Sequence, residues 1–357
     1  MTGHALVARL DNAGDVLLTG PTVRAVAASA DRVTFLAGPA GRAAAELLPG
    51  VDQVLTWEAP WVGDGAPPVD PRSVEALVAR LAALAVSDAV ILTSFHQSPL
   101  PLALLLRMAG TARIAATSVD FPGTLLDHRL PYVESYHEVE QGLAVAGALG
   151  HHLPPGDDGR LATRPLPALD LPLPDRYVVV HPAASVPARS IPPVLAGEVV
   201  DALLADGHAV VVTGSAHDAA EAAPVPGGSA VVDLRGRTDL AALGRVLQGA
   251  DVLVTGNTGP AHLAAAVGTP VAVAFAPVVA PHRWTPWGVP HVLLGDLDIA
   301  CAGCRARTCP LPGQPCLDPV TPVAVVRAVR SLTRALAGPP VGDPALAGPA
   351  LSEAGAT

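Results

Sequence analysis

The sequence predicts an α/β protein built from two Rossmann-like halves, and three observations carry that prediction. Short apolar runs alternate with stretches of helical period, hairpin signals are missing between them, and polar, glycine-bearing turns recur where the apolar runs end. With 357 residues the chain is long enough for two cores of ordinary size.

Residues Ala5 to Leu10 read as a buried strand and Asp15 to Ala28 as a helix, with DNAGD between them. Further strands are expected at Val33 to Ala37, Gln53 to Trp57, Ala89 to Thr93 and Arg113 to Ala116. Helices are expected near Arg42 to Leu48, Pro71 to Ala85 and Pro101 to Met108. Ser118 to Glu138 reads as a loop that interrupts the rhythm, and Val139 to Leu149 resumes as a helix. The first half is therefore assigned to residues 1–150. Residues 151–176, rich in Pro and Gly and without sustained period, form a linker.

The second half, 177–337, opens with a strand at Tyr177 to Val180, a helix near Val194 to Ala205 and a strand at Ala209 to Val212. Strands follow near Ala230 to Asp233, Val252 to Val254 and Val271 to Phe275. Pro322 to Ala337 is a final helix with an apolar stripe at Val325, Val326, Val329 and Leu332. Residues 338–357 carry no such stripe and read as a disordered tail.

Composition removes several function classes. The formal net charge is −10, so bulk attraction to nucleic acid is not expected. The chain has no Lys, which excludes Schiff-base chemistry and a Walker lysine and leaves phosphate contacts to Arg, hydroxyls and backbone N–H groups. No apolar run approaches the roughly 18 residues of a membrane span, and MTGHALVARLDNAGD lacks the pattern of a secretory signal. A cytoplasmic protein is expected.

Open α/β sheets bind ligands at the carboxyl ends of their strands, and that is where the polar turns fall. Asp11, Asn12 and Asp15 lie after the first strand. Asp15 reads either as a helix-capping carboxylate or as a general base. Ser185 and Arg189 follow the strand that opens the second half, and the guanidinium suits a diphosphate. Thr213, Gly214 and Asp218 follow the next, where the carboxylate suits ribose hydroxyls, and Gly236 follows the one after. Asn257, Thr258, Gly259 and His262 begin the helix after Val252 to Val254. Thr258 is placed to cap it, and its first-turn N–H groups suit an anion. His137 stands at a helix start, as an acceptor contact or as a surface or capping residue.

Together these pieces resemble a family. The stretches RLDNAGDVLLTGPTVRAV, HEVEQGLAVAGALG, VVVHPAA, VVVTGSAHD and DLRGRTDLAALGRVLQGADVLVTGNTGPAHLAAAVGTPVAVAF, followed by CLDPVTP, are similar to glycosyltransferase family 9, the lipopolysaccharide heptosyltransferase type. The resemblance runs from Leu6 to about Leu332. It implies a GT-B architecture, with the donor sugar nucleotide held by the second domain and a saccharide or glycolipid acceptor by the first. It also implies a metal-independent inverting transfer, often from ADP-heptose, with no required cofactor. Asp15 takes the place of the base, Arg189 of a phosphate contact, Asp218 of a ribose contact, and Thr258, Gly259 and His262 of the turn around the diphosphate. Asn257 departs from the Asp that many relatives carry, which leaves the sugar open. An epimerase on the same architecture and a non-catalytic sugar-nucleotide-binding protein are the alternatives.

Cys301, Cys304, Cys309 and Cys316 are all of the chain's cysteines, spaced C-x2-C-x4-C-x6-C. Structural zinc and reduced thiols packing a loop both remain open for them.

Overall fold

A computed structural model describes residues 3–63, 65–94, 97–216 and 230–337. In chain order its elements begin with β1 (His4–Arg9), α1 (Ala13–Leu18), α2 (Gly20–Ala27), β2 (Arg32–Ala37), α3 (Arg42–Leu47) and β3 (Gln53–Thr56). They continue with α4 (Pro71–Leu84), β4 (Asp88–Leu92), α5 (Leu100–Met108), β5 (Arg113–Thr117), β6 (His128–Leu130) and α6 (Glu138–Ala148). The later part holds β7 (Val178–His181), α7 (Pro193–Ala205), β8 (Val210–Val212), β9 (Val231–Asp233), α8 (Leu240–Gln248) and β10 (Val252–Gly256). Last come α9 (Gly259–Ala266), β11 (Val271–Ala274), α10 (Pro281–Trp284), β12 (His291–Leu294) and α11 (Pro322–Ala337).

The strands form two six-stranded sheets, ordered β3-β2-β1-β4-β5-β6 and β9-β8-β7-β10-β11-β12. Every pairing is parallel. Both sheets follow the same doubly wound order, which reverses between β1 and β4 in one lobe and between β7 and β10 in the other. Buried strands such as VVV at β8 are continuous apolar runs because helices cover both faces of a parallel sheet.

Several boundaries differ from expectation, each for a local reason. The helix expected over Asp15 to Ala28 is two helices. Thr19 closes α1, its hydroxyl donates to the Val16 carbonyl at 2.6 Å, and Pro21 in the first turn of α2 has no N–H to continue the ladder. The loop expected over Ser118 to Glu138 contains β6, whose three residues His-Arg-Leu carry no apolar run to announce it. Strand β12 and helices α8 and α10 likewise occupy positions where the periodicity assigns nothing.

Segment 151–176 has no regular element, yet it is a strap and not a loose tether. Asp157 accepts from Arg24 at 2.6 and 2.8 Å, Arg164 donates to the Leu48 carbonyl at 3.0 Å, and the Trp287 indole donates to the Gly159 carbonyl at 2.9 Å. The final helix packs on the second sheet through Val325, Val329 and Leu332, all buried. Residues 338–357 lie outside the described part of the chain.

One apolar cluster joins the lobes. It runs from Val7 and Phe35 of the first sheet through Val16 and Leu17 of α1 to Leu263 and Ala264 of α9 and Val273 of the second sheet. Each fully buried Val or Leu in such a seam contributes ~1.5–3 kcal/mol before chain entropy is counted.

Candidate active site

Because both sheets reverse strand order at their centres, the turns after β1, β4, β7 and β10 share one region, and the tips of α1 and α9 meet there. The meeting is close. A Cβ on Gly14 would stand 2.9 Å from Gly259 Cα and 3.3 Å from His262 Cδ2, so position 14 admits only glycine without displacing backbone.

Asp15 lies one residue past that contact. Asn12 occupies the N-cap position of α1, which leaves Asp15 in the first turn with its carboxylate on Arg9 Nη2 at 3.3 Å. The capping alternative for Asp15 is thereby replaced. Arg9 ends β1 and is the centre of a buried ionic network. Its Nε forms an ion pair with Asp11 at 2.6 Å, its Nη2 also donates to Ser94 Oγ at 3.1 Å, and its Nη1 reaches Glu138 at 3.4 Å. Glu138 in turn accepts from Arg283 of the second lobe at 2.6 Å, and that guanidinium covers the Tyr132 ring at 4.0 Å. Asp11 also accepts from Ser94 and Gln97.

The network sets the charges. Burial works against the Arg9 cation, but the carboxylates of Asp11, Asp15 and Glu138 hold its pKa above the ordinary value. Burial pushes Asp15 up to about 6; Arg9 and Arg189 pull it down, while Asp11 and Glu138 push it further up. A carboxylate there is ionised at neutral pH and is more basic than an exposed one.

A cleft with several polar walls opens beside Asp15 on the first lobe. Its walls include Arg9, Thr93, Gln97, Ser118, Asp120, Tyr132, Glu138 and Gln141. Of the acceptor-side expectations, Asp11 lies directly behind this cleft as an ion-pair partner of Arg9. Asn12 is exposed at the helix start and makes no side-chain capping bond. Of the two readings of His137 the structure shows the cap: its Nδ1 accepts from Val139 N–H at 3.2 Å, its Nε2 contacts the Thr285 carbonyl at 3.0 Å, and its ring lies 4.5 Å from that of Trp287. It is a buried cap between the lobes, not a wall of the cleft.

On the opposite side, Arg189 ends the short 3-10 turn Pro187–Arg189. Its buried Nε has no hydrogen-bond partner among the described residues. Burial lowers the Arg189 pKa, and Asp15 offsets part of that effect, so the two side chains sense each other across the seam. His262 is buried with Nδ1 unpartnered among the described residues, and burial with nearby His137 and Arg189 takes its pKa down to about 3, which makes it a neutral imidazole. Thr258 sits at the N-cap of α9, but its side chain makes no capping bond.

The side-chain amide of Asn257, expected at the donor, is held by the neighbouring strand end. Its Nδ2 donates to the Ala276 carbonyl at 3.1 Å and its Oδ1 accepts from Ala276 N–H at 3.2 Å. A carboxylate cannot make the first of these bonds, which explains an amide at this position.

Thr213 is buried and hydrogen-bonds His181 at 2.9 Å. The Gly214 carbonyl accepts from Gly236 N–H at 2.9 Å, and Gly236 at φ +70 lies so near Ala216 that a Cβ would stand 2.9 Å from its Cα. Ser185 is exposed on the turn after β7. Asp218 falls outside the described residues.

Zinc at the cysteines is not supported, since no group of three or more His, Cys, Asp or Glu is arranged to hold a metal among the described residues. Cys301 and Cys304 are exposed while Cys316 is buried, and all four line one apolar pocket with Pro277, Val278 and Ile299. The loop that carries them braces Arg189 instead. The Arg307 carbonyl accepts from Ala188 N–H at 2.9 Å and Gln314 donates to the Ala188 carbonyl at 2.6 Å, which pins the 3-10 turn from both sides of one residue.

The sequence reading missed Arg9, Ser94, Gln97, Glu138 and Arg283. The one signal for Arg9 and Glu138 was charge inside apolar periodicity, an Arg at a strand end and an acid at a buried helix start.

Comparison with known proteins gives these features a class. The fold aligns with a family 9 glycosyl transferase of Veillonella parvula, with TM-score 0.71 and 15% identity over 93% of this chain and 97% of the other. It also aligns with the E. coli ADP-heptose LPS heptosyltransferase II, with TM-score 0.70 and 19% identity over 94% of this chain and 100% of the other. Two Rossmann-like lobes facing across a cleft in this way form a GT-B fold.

A family model described as glycosyltransferase family 9 (heptosyltransferase) matches residues 116–314, and the chain belongs to that family. In sequence it is 28% identical over 104 residues to lipooligosaccharide heptosyltransferase 2 of Campylobacter jejuni, a match that spans 29% of this chain and 32% of that relative.

Proposed function

We propose that the protein is an inverting glycosyltransferase that moves a heptose or related sugar from a nucleoside diphosphate, ADP-heptose foremost, to a hydroxyl of a saccharide or glycolipid. In this reading residues 1–150 serve the acceptor and 177–337 the donor. Its setting is cytoplasmic assembly of a surface glycan of the lipopolysaccharide-core kind, with only transient approach to the inner membrane. The observation that carries the reading is the contact of Gly14 with Gly259, which leaves Asp15 between that cleft and the tip of α9.

The acceptor hydroxyl enters the cleft, and Asp15 accepts its proton as the oxygen attacks the anomeric carbon from the face opposite the diphosphate. The bond from that carbon to the diphosphate oxygen breaks, and the configuration inverts. Negative charge on the departing diphosphate is met by Arg189 and by the first-turn N–H groups of α9, with the Thr258 hydroxyl beside them. The neutral imidazole of His262 contributes packing and hydrogen bonding rather than charge. Arg9 holds the Asp15 carboxylate in place. This division of labour requires no metal, so chelation is expected to leave transfer unchanged.

Replacement of Asp15 by Asn is expected to lower kcat by ~10²–10⁴ while ADP binding stays within a few-fold. Wild-type turnover by Asp15→Asn, or retained anomeric configuration in the product, would contradict the assignment.

A further inference from the structure

We infer that the cleft beside Asp15 is built for an acceptor without phosphate or carboxylate, either an uncharged saccharide or an amine-bearing one. The inference rests on the transferase reading and names which acceptors that reading admits.

Among the described residues that line the cleft, Arg9 is the sole cation, whereas Asp15, Asp120 and Glu138 are carboxylates. Arg9 is also ion-paired with three carboxylates. Nε lies 2.6 Å from Asp11, Nη1 lies 3.4 Å from Glu138, and Nη2 serves both Asp15 at 3.3 Å and Ser94 at 3.1 Å. An incoming phosphate at this guanidinium would meet the like charge of the three carboxylates that already surround it. Of the neighbouring cations, Arg189 is assigned to the donor diphosphate in the transferase reading, and two more are held by protein groups. Arg283 bonds Glu138 and the Val133 carbonyl at 2.8 Å, and Arg129 donates to the carbonyls of Ser118 and Val119 at 2.9 Å each.

What remains on the walls is suited to hydroxyl groups. Thr93, Gln97, Ser118 and Gln141 offer hydroxyls and amides able to donate and accept, the chemistry that reads an uncharged sugar. Asp120 is exposed where the cleft meets solvent, so an ammonium group on the acceptor would find a partner there. An anion at the same place would meet like charge, and such a juxtaposition acts against the wrong partner more than it strengthens the right one.

The test is transfer from ADP-heptose to three glycosides of one sugar: the parent, its phosphate ester and its amino analogue. The parent and the amine are expected to exceed the phosphate ester in kcat/KM by at least about tenfold, the ratio one like-charge contact would leave. Asp120→Arg should narrow that gap by lowering KM for the ester and raising it for the amine. Saturation-transfer NMR on the wild-type protein, with each glycoside alone, should show contact for the parent and amine and weaker contact for the ester. Preference for the ester in either measurement would overturn the inference and leave the transferase reading standing. Consumption of ADP-heptose that no acceptor accelerates would fall on the transferase reading instead.

Discussion

At the scale of single residues, the pKa of Asp15 near 6 makes a kinetic and a thermodynamic prediction. As a base it must be ionised, so kcat should rise with pH through about 6 and level off above, measured in a series of buffers of constant ionic strength. Stability runs the other way. A carboxyl whose folded pKa lies above its ordinary 3.8 contributes stability that is complete below 3.8 and is lost as pH rises through about 6. The Asp15→Asn variant escapes that loss, and its urea midpoint at pH 7 should equal or exceed that of the wild type, the reverse of what a structural carboxylate would give. His262, held near 3, has the opposite sign: the folded state loses stability as pH falls below 6.5. Asn257→Asp removes the donor to the Ala276 carbonyl and buries a carboxylate against it, and is expected to cost about 1–3 kcal/mol in a denaturant titration. The legibility of residues followed their locality. Asp15 announces itself in a short glycine turn, and Thr258 and Gly259 do the same. The partners of Arg9 do not, because its bond to Glu138 spans 129 residues and no spacing rule joins a strand end to a helix that far away. The bonds of Asn257 to Ala276 were not legible either, since they go to the end of the neighbouring strand.

At the scale of elements, most strands and longer helices emerge from period because the parallel sheets bury them on both faces, although the nine-residue α8 was not assigned. Elements of three or four residues, such as β6 and α10, owe their shape to tertiary contacts and left no pattern to read. The contact of α1 with α9 is where element geometry becomes function. Gly14→Ala would drive a methyl group into Gly259 Cα, and either helix must shift. We expect a loss of about 1–3 kcal/mol in unfolding free energy. A larger loss in kcat than in ADP affinity should accompany it, because the acceptor-side carboxylate moves relative to the diphosphate turn. An unchanged kcat in Gly14→Ala would detach this contact from the chemistry.

At the scale of the whole molecule, the lobes are joined by an apolar seam and by an ionic bridge, Arg9–Glu138–Arg283. Glu138→Ala would leave two guanidiniums buried beside each other without their shared carboxylate. Loss of one partner of a buried pair typically destabilises by about 3–5 kcal/mol, and the urea midpoint should fall accordingly. That the chain makes two Rossmann-like halves was legible from the alternation of strand and helix, whereas their shared strand order was not. The bridge was not, since it arises only once the lobes are brought together. The central claim is that Asp15 faces a donor whose diphosphate rests on α9. It is tested most directly by a crystal structure of the protein with a fluorinated ADP-heptose that resists transfer. Diphosphate oxygens are expected on the N–H groups at Gly259 and on the Arg189 guanidinium, with the anomeric carbon turned toward the Asp15 cleft. A nucleotide seated away from α9, or a sugar whose anomeric carbon points away from Asp15, would contradict it.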